Sequence, residues 1–548
     1  MRKPNKIIIN ENVSLKIALK KLNVAPEKLL ICVNNFNKFV GVINDGDIRR
    51  SLINNEINVN TSIKNLINRK STKIYKDTSL NYAQSLLGSK VAILPVIDKN
   101  KNVIGYYSLK DFIKKFDKKI TIVGLGYVGF TLALSMVNNG FEVNGFDSNK
   151  NLINNLKKGK LHFFEKDLDK HLSKNKKLIN VSSSLEKCKS DCYILTVGTP
   201  IKNKKPVLKQ IERSIIEICK VLKEGDLIIL RSTLPINTTN NFIIPFIKKK
   251  KNFVPGEDYF ISFAPERTVE GNALYELENN PQIIGADDLV SFEKTSNIFN
   301  KLTTSIIKVD NIKSAEFAKL VDNSYRDHKF SYSNQLIEPC EKLKINLNAV
   351  IDAVNFGYGR NDIAKPSPGV GGPCLSKDPY IFYGGLKKYS KNLLIDKVRN
   401  ANNKIPDYVY KKIVRLIKKE GLSLAKIKIL FLGLAFKGEP ETSDTRDSSS
   451  LKIINKFSNF KNIVCYDPVL KKKDVEKLKL NYTTINNGFK NASLVVFLNN
   501  HKRFKKLNIE TLIKKMKKPA IVLDTWNQID KSKFDKFQNV RYSGLGND

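Results

Sequence analysis

A cysteine that follows a cluster of glycines is the first candidate for chemistry in this sequence. Cys374 comes after Gly369, Gly371 and Gly372, and glycines let a backbone approach a bound molecule closely. A thiol in such a loop, with a cation nearby, has the surroundings of a nucleophile. The alternative is a small buried side chain without a chemical role. The remaining cysteines have less suggestive surroundings, and Cys192 lies within an apolar strand pattern.

A lysine and an asparagine on one predicted helix are the next candidates. Lys319 and Asn323 are four residues apart, so both point to the same side of a helix. A lone lysine is usually a solvated surface charge, but this one has apolar neighbours, namely Phe317, Ala318, Leu320 and Val321. Asp378, four residues past Cys374, has the chemistry of a base or of a group that orients water.

A glycine-rich turn after an apolar strand predicts a dinucleotide site. The segment 119–129 reads KITIVGLGYVG, with Gly124, Gly126 and Gly129 in the spacing GxGxxG and with Tyr127 and Val128 between the last two. A helix pattern follows, and Asp147 ends the next strand about 20 residues on. The glycines let N–H groups at a helix N-terminus approach a pyrophosphate. The Asp147 carboxylate would accept hydrogen bonds from the hydroxyls of the adenine ribose. It would disfavour a 2′-phosphate at that place, so NAD is favoured over NADP. A glycine turn without a ligand is the weaker alternative.

The surrounding elements indicate an α/β protein with two Rossmann-like domains. Thr199 and Pro200 follow one strand pattern, and Ser232 and Thr233 follow another, which is where ligand sites lie in parallel sheets. A second series of strand patterns begins near residue 425, after a largely helical stretch. We therefore expect a Rossmann domain at 118–310, a helical region with the catalytic cysteine at 311–405, and a second Rossmann-like domain at 406–548.

Residues 1–117 contain a weak internal repeat of strand, turn, strand and helix. The repeat resembles a tandem pair of CBS domains, an α+β module. In that family a Ser/Thr-x-x-Asp element holds an adenosine ribose, and Ser108 and Asp111 fit it, whereas the first copy has Asn44 and Asp47. The resemblance allows two roles: binding of an adenine nucleotide, or a structural module with no ligand.

Several ordered blocks across residues 118–548 resemble the UDP-glucose/GDP-mannose dehydrogenase family. They are GLGYVG at 124–129, VGTP at 197–200, APERTVEG at 264–271, AEFAKLVDN at 315–323, PGVGGPCLSKD at 368–378, and GLAFK at 433–437 with DTRDS at 444–448. The sequences PER and GVGG-x-C favour the branch that acts on UDP-N-acetylhexosamines. The resemblance implies four-electron oxidation of a sugar C6 alcohol to a carboxylate by two NAD, in surface polysaccharide precursor synthesis.

The resemblance also implies roles for particular residues. Cys374 would carry the thiohemiacetal and thioester, with Lys319 for proton transfer or oxyanion stabilisation and Asn323 beside it. Other expected catalytic residues are Asp378, Thr233 and Glu266. The cofactor would contact Gly124, Gly126, Tyr127, Val128, Gly129, Asp147, Thr199, Pro200, Ser232, Glu270 and Arg446. The nucleotide-sugar would contact Arg267, Arg360, Lys365, Gly369, Gly371, Phe436 and Lys437, with Arg360 donated to a neighbouring subunit of a homodimer or higher homo-oligomer.

Three positions depart from the pattern of the family. Asn237 stands where many relatives have glycine, and Gln335 where glutamate is common. Trp526 follows Asp524-Thr525 where an arginine is frequent. The missing arginine removes one expected anion contact, so the identity of the sugar is less certain than the class of substrate.

Composition excludes several other classes of protein. The 548 residues contain 95 Lys+Arg and 53 Asp+Glu, a formal charge of +42. The basic runs are short and lack interleaved aromatics, so we expect no nucleic-acid partner. No apolar run reaches the roughly 20 residues of a membrane span. The seven cysteines are scattered, no export signal is visible, and no metal-ligand spacing occurs; these features predict a cytoplasmic protein without a metal.

A second functional hypothesis is that the protein has the same fold but does not catalyse the reaction. In it the chain is a catalytically altered nucleotide-sensing protein regulated through the CBS pair. The intact set of Lys319, Asn323, Cys374 and Asp378 argues against this hypothesis.

Overall fold

The structure is a computed structural model that describes residues 2–25, 28–53, 58–78, 83, 86, 91–108, 119–175, 179–390 and 392–547. The chain divides into two compact units, residues 1–117 and 118–548. Within the described residues no helix is long and apolar enough to cross a membrane.

The first unit repeats one sheet arrangement. Its elements are β1 Ile8–Asn10, α1 Leu15–Val24, β2 Leu29–Val33, β3 Phe39–Asn44, α2 Asp45–Ile53, β4 Ile74–Tyr75, β5 Ile93–Ile97 and β6 Val103–Ser108. In each half a short strand pairs in parallel with the first strand of an antiparallel pair, in the orders β1-β2-β3 and β4-β5-β6. Both pairs shift register at the same relative place, after Cys32 and after Val96. The internal repeat of the sequence is therefore a structural repeat.

The expected ribose element of this unit is only partly described. Ser108 ends β6 and is buried, whereas Asp111 lies outside the described residues. In the first half, helix α2 begins at Asp45, two residues before Asp47.

The second unit begins with an eight-stranded sheet in the order β16-β15-β14-β13-β10-β7-β8-β9. Its elements are β7 Ile120–Val123, α3 Tyr127–Asn138, β8 Val143–Phe146, α4 Lys150–Lys157, α5 Leu168–Asn175, β9 Ile179–Ser182, β10 Cys192–Leu195, the hairpin β11 Ile201–Lys202 with β12 Lys205–Pro206, α6 Lys209–Val221, β13 Leu227–Leu230, α7 Ile244–Lys251, β14 Phe260–Phe263, α8 Ala273–Asn279, β15 Gln282–Gly285, α9 Leu289–Phe299 and β16 Ile306–Val309. Strands β7, β8, β10 and β13 are buried along their whole length, as expected of parallel strands covered on both faces. Among the described strands of this eight-stranded sheet, β14 and β15 pair antiparallel and the other neighbours pair in parallel.

Helices connect this sheet to the next one. They are α10 Ile312–Asn334, α11 Ile337–Leu343, α12 Leu347–Asn355, α13 Asp378–Leu386 and α14 Leu394–Lys419. Residues 356–377, between α12 and α13, form the loop that carries Cys374. Helix α14 runs without a break through the boundary expected between residues 405 and 406, so the central region and the C-terminal domain share one helix.

The C-terminal domain is a five-stranded parallel sheet in the order β18-β17-β19-β20-β21. Its elements are β17 Ile429–Leu432, α15 Ser449–Ile454, β18 Ile463–Tyr466, α16 Lys472–Lys477, α17 Ile485–Phe489, β19 Leu494–Phe497, α18 Lys502–Lys505, α19 Ile509–Ile513, β20 Ala520–Asp524 and β21 Val540–Gly544. One side of this sheet packs on α14 through a core that includes Val409, Ile413 and Phe431. Helix α14 thereby fixes the C-terminal domain against helix α10, which carries both Lys319 and Asn323.

Candidate active site

A cavity of about 370 Å³ lies where the Cys374 loop meets helix α10 and the C-terminal domain. Its walls include the loop 367–375, the segment 268–270 and the segment 436–440. The side chains that could act chemically there are Glu270, Lys319, Asn323, Arg326, Cys374 and Lys437. A larger cleft of about 770 Å³ between residues 155–169 and 469–477 is lined by lysines and contains no cysteine. The smaller cavity is therefore the place for the predicted sulfur chemistry.

The glycines hold the Cys374 loop against the C-terminal domain. Gly369 and Gly372 have φ angles of +111° and +89°, a conformation that side chains other than glycine rarely adopt. A Cβ on Gly372 would lie 2.7 Å from the Phe436 ring. The loop ends in a turn in which the Asp378 N–H donates to the Cys374 carbonyl at 2.9 Å. The cysteine consequently sits one turn before the start of α13.

The Cys374 side chain is exposed at the wall of the cavity, and the other residues that line the cavity surround it. Desolvation and the nearby Asp378 carboxylate raise the pKa of the thiol, against the opposing charges of Lys319 and Lys377. The resting thiol is therefore protonated at neutral pH, and a nearby base must remove its proton before it can attack.

Helix α10 brings the other predicted groups to the same place. Lys319 is 7% exposed and Asn323 is fully buried, so Lys319 is no solvated surface charge. The Lys319 Nζ donates to the Glu266 carbonyl. Asn323 Nδ2 donates to Asp378 Oδ2 at 2.5 Å. The sequence-predicted set of Cys374, Lys319, Asn323 and Asp378 is brought together.

Two cations of this cluster escaped the sequence analysis. Lys377 pairs with Asp378 through Nζ and Oδ1 at 2.5 Å. Arg326 lines the cavity and donates to the Asn323 side-chain oxygen. An acceptor-only carboxylate on one side and a donor-only guanidinium on the other fix the orientation of the Asn323 amide. The only sequence signals for these two cations were that Lys377 is adjacent to Asp378 and that Arg326 follows Asn323 by three residues.

Glu266 and Arg267 face a different region from Cys374. The Glu266 carboxylate pairs with Arg231, at 2.9 Å from Nε and 2.5 Å from Nη2. Burial opposes ionisation, but the Arg231 charge and the Thr268 N–H lower the pKa of Glu266. Arg267 donates to the Pro281 carbonyl. Glu266 contacts the cluster through its backbone carbonyl, which accepts from Lys319, and the Lys319 charge also helps to lower the pKa of its carboxyl.

Glu270 connects the cavity to the C-terminal domain. Its carboxylate accepts from Thr442 Oγ1 at 3.2 Å and lies 3.4 Å from Arg446 Nη2. Burial and the Asp444 charge raise the pKa of Glu270 to about 7, against the opposing charges of Arg446 and Lys437. Lys437 donates to the Glu270 carbonyl at 2.5 Å, and burial lowers the pKa of Lys437 to about 8. Both groups thus titrate near neutral pH, a feature of functional sites.

The glycine turn of the first Rossmann domain has the shape of a dinucleotide cradle. Gly124 has φ +99°, and a Cβ on Gly129 would lie 1.8 Å from the Gly124 carbonyl oxygen. Gly126 caps α3 with no side-chain hydrogen bond and has open space beside it. The Leu125 N–H donates to Asp147 Oδ2 at 2.9 Å. The N–H groups at the start of α3 and the Asp147 carboxylate therefore fit a pyrophosphate and a ribose.

Other predicted cofactor contacts border this cradle. Tyr127 and Val128 open α3, and the Tyr127 hydroxyl donates to Glu165. Thr199 Oγ1 donates to the Thr233 carbonyl at 2.6 Å, which joins the ends of β10 and β13, where Pro200 and Ser232 also lie. Among the described residues, no group of three or more His, Cys, Asp or Glu could hold a metal.

Of the predicted substrate residues, Gly369, Gly371, Phe436 and Lys437 line the cavity. Lys365 pairs instead with Asp352 at 2.8 Å. Arg360 is exposed and stacks over Tyr358 at 4.7 Å. Trp526, which replaces the frequent arginine, does line the cavity. The Trp526 ring, which offers a surface for stacking, thus occupies the position at which a cation was expected.

Three stretches match the UDP-glucose/GDP-mannose dehydrogenase family: its NAD binding domain at 118–303, its central domain at 313–404 and its UDP binding domain at 430–531. A CBS domain matches residues 63–118. The UDP-N-acetyl-D-mannosamine dehydrogenase of Methanococcus vannielii is 32% identical over 431 residues, covering 76% of this chain and 95% of that protein.

Solved structures agree with these matches. The UDP-D-ManNAc dehydrogenase of Pyrococcus horikoshii superposes with a TM-score of 0.70 at 27% identity, over 78% of this chain and 99% of that one. The UDP-N-acetyl-mannosamine dehydrogenase of Staphylococcus aureus gives a TM-score of 0.67 at 30% identity, over 78% and 98%.

Proposed function

The chain belongs to the UDP-glucose/GDP-mannose dehydrogenase family of NAD-dependent oxidoreductases, and from this premise we propose that it oxidises the C6 alcohol of a UDP-N-acetylhexosamine to the carboxylate. The main support is the cavity in which the Cys374 thiol lies beside Lys319, Asn323 and Asp378. UDP-N-acetylmannosamine is the first candidate substrate, because the relatives described above act on it. The product would serve as a precursor of surface polysaccharide.

The reaction needs two oxidations joined by a covalent step. Residues Gly124–Gly129 and Asp147 would hold NAD, which would supply the hydride acceptor, with one NAD for each of the two oxidations. In the first, the C6 alcohol loses a proton and a hydride to become an aldehyde. The Cys374 sulfur loses its proton and adds to the aldehyde carbon, which gives a thiohemiacetal. The thiohemiacetal then loses its hydroxyl proton and the second hydride and becomes a thioester, and water hydrolyses the thioester to release the acid and restore the thiol.

The neighbouring groups suit the charges that develop in these steps. Lys319, held by the Glu266 carbonyl, stabilises the C6 oxyanion. Asp378 is close enough to Cys374 to affect the pKa of its thiol, so it accepts the proton of the thiol or orients the hydrolytic water. Glu270, with its pKa raised to about 7, is half ionised near neutral pH and can pass a proton during hydrolysis.

A homodimer would complete the site and cover an exposed apolar surface. Helix α10 exposes Phe317, Val321 and Tyr325 along one face. Phe356 is 89% exposed near Arg360. Exposed apolar side chains grouped in this way mark protein–protein interfaces. Pairing through this surface would bring Arg360 to the neighbouring cavity.

The N-terminal unit would regulate or assemble the enzyme. We include in the proposal that an adenine nucleotide binds near Ser108, whose place in the sequence matches the Ser/Thr-x-x-Asp element of the CBS family. Turnover measured with and without AMP or ATP tests this part separately, and equal rates together with no binding by calorimetry would contradict it.

The central test is product stoichiometry with a panel of UDP- and GDP-sugars. We expect two NADH for each sugar acid formed, with UDP-N-acetylmannosamine among the best substrates. Cys374→Ser should abolish acid formation, because a serine hydroxyl cannot form the thioester. Cys340→Ser, on α11 outside the cavity, is the matched control and should retain turnover. Wild-type acid yield from Cys374→Ser would overturn the mechanism, and AMP or ATP binding without any sugar turnover would favour the nucleotide-sensing alternative.

A further inference from the structure

A buried ion pair joins helices α10 and α14 behind the Cys374 loop. Arg399 on α14 and Asp327 on α10 are both almost fully buried, with Nη1 and Oδ1 2.7 Å apart. Asn402, one turn after Arg399, donates from Nδ2 to the Asp327 carbonyl at 2.9 Å and to Oδ1 at 2.8 Å. The pair is therefore part of a larger polar network.

This network contacts the Cys374 loop on both sides of the cysteine. Arg399 Nη2 donates to the Val370 carbonyl at 3.2 Å, and Nη1 donates to the Leu375 carbonyl at 3.1 Å. Asn334, at the end of α10, accepts from the Ser367 N–H at 2.8 Å. The loop is thus held at residues 367, 370 and 375 by side chains from the two helices.

Stability alone does not account for a charged pair at this position. A buried ion pair loses hydration, and replacement of both members by apolar residues of similar volume is often neutral or stabilising. Burial raises the pKa of Asp327 in spite of the facing Arg399 charge. Asp327 Oδ2 and Arg399 Nε also lack hydrogen-bond partners among the described residues. Two apolar side chains could not donate the two hydrogen bonds that Arg399 makes to the carbonyls of Val370 and Leu375, on either side of Cys374.

We propose that Arg399 is a positioning residue that holds the Cys374 sulfur toward Lys319 and Asp378, an assignment that rests on the proposed dehydrogenase function. Asp327 and Asn402 orient the guanidinium, and the guanidinium fixes the loop. Asp327 lies two turns after Lys319 and one turn after Asn323 on α10. The same helix therefore sets both the nucleophile and the groups that act on the substrate.

The test is the double substitution Asp327→Leu with Arg399→Met, which removes the charges and keeps the volume. We expect a folded protein whose kcat falls at least tenfold, while NAD affinity measured by fluorescence titration stays within twofold. The loosened loop should also move Cys374 toward water. The pH midpoint of its alkylation by iodoacetamide should therefore fall from its raised value toward that of an ordinary thiol, a change that a purely structural role would not produce.

A second buried ion pair on α14 supplies the matched control. Lys412 and Glu341 lie 2.7 Å apart and are buried away from the loop. The double variant Lys412→Met with Glu341→Leu should keep the kcat per folded molecule and the Cys374 alkylation profile of the wild type. An equal loss of kcat in this control would contradict the specific role of Arg399.

Two further outcomes decide the remaining cases. If the Asp327/Arg399 double variant does not fold, Arg399→Lys gives the same readouts, because one ammonium cannot bond to Asp327 and both carbonyls in the guanidinium geometry. A folded variant with kcat within twofold of wild type and an unchanged alkylation profile overturns the proposal. If the wild type oxidises no sugar, the proposed function fails, whereas the alkylation profiles still test the loop contact.

Discussion

The buried pair of Arg231 and Glu266 offers a sharp test of how the site is supported. Arg231→Met removes the cation and leaves the Glu266 carboxylate buried, since Glu266 is 6% exposed. Arg231 also donates to the Ala264 carbonyl at 3.0 Å and to Gln282 Oε1 at 2.8 Å. The substitution therefore frees a buried carboxylate and two neutral acceptors at once.

The expected loss of stability follows from these bonds. The two bonds to Glu266, at 2.9 and 2.5 Å, are charge-assisted and contribute about 1.5–3 kcal/mol each. Breaking one side of a buried ion pair costs about 3–5 kcal/mol, which agrees with their sum. We expect the free energy of unfolding at pH 7.5 to fall by about 3–5 kcal/mol.

The effect should depend on pH with a defined sign. In the wild type the Glu266 pKa is lowered, so its stabilising contribution is present above the unfolded pKa of about 4.3 and is lost at lower pH. Without Arg231, burial raises the pKa of Glu266 against the remaining opposition of Thr268 and the Lys319 charge, so the carboxyl takes up a proton more readily as the pH falls and the penalty shrinks. The difference between variant and wild type should be larger at pH 7.5 than at pH 5.

Urea unfolding followed by circular dichroism at both pH values measures this difference. The double variant Arg231→Met with Glu266→Leu is the control, because it removes both charges and should recover most of the stability. A loss below about 1 kcal/mol at pH 7.5 in the single variant, or a loss independent of pH, would refute the reasoning.

Three further predictions concern the cavity and the exposed helix face. Because the pKa of Glu270 is raised to about 7, its base form increases through neutral pH, and the rate of acid formation should rise with pH with an apparent pKa near 7. This rise should disappear in the variant Glu270→Gln. If the rise persists in that variant, Glu270 is excluded as the group that passes the proton. Gly372→Ala places a Cβ 2.7 Å from the Phe436 ring, so kcat/KM for the nucleotide-sugar should fall at least tenfold in steady-state assays, and an unchanged value would show that the loop tolerates the shift. Val321→Glu puts a charge on the exposed face of α10 and should produce monomers by light scattering at micromolar concentration, whereas an intact oligomer would place the interface elsewhere.

Local patterns were sufficient to predict much of this protein. The GxGxxG turn and the glycines around Cys374 are short stretches whose backbone conformation depends on the residues themselves, so the sequence identified them. The i, i+4 spacing of Lys319 and Asn323 placed them on one helix face, and the structure confirms that they share it. The repeat in residues 1–117 was visible because each copy carries its own strand and turn residues.

Burial and long-range pairing were decided only by the tertiary structure. A sequence with 95 Lys+Arg does not distinguish the buried cations Arg231 and Arg399 from the many solvated ones. Their partners come from other elements, and Arg399 lies 72 residues from Asp327. The Glu266 side chain was placed with the catalytic residues from its motif, but its carboxylate turns to Arg231. The chemistry of each side chain is a property of the sequence, whereas its charge environment depends on which elements pack around it, and that packing is set by contacts between distant parts of the chain.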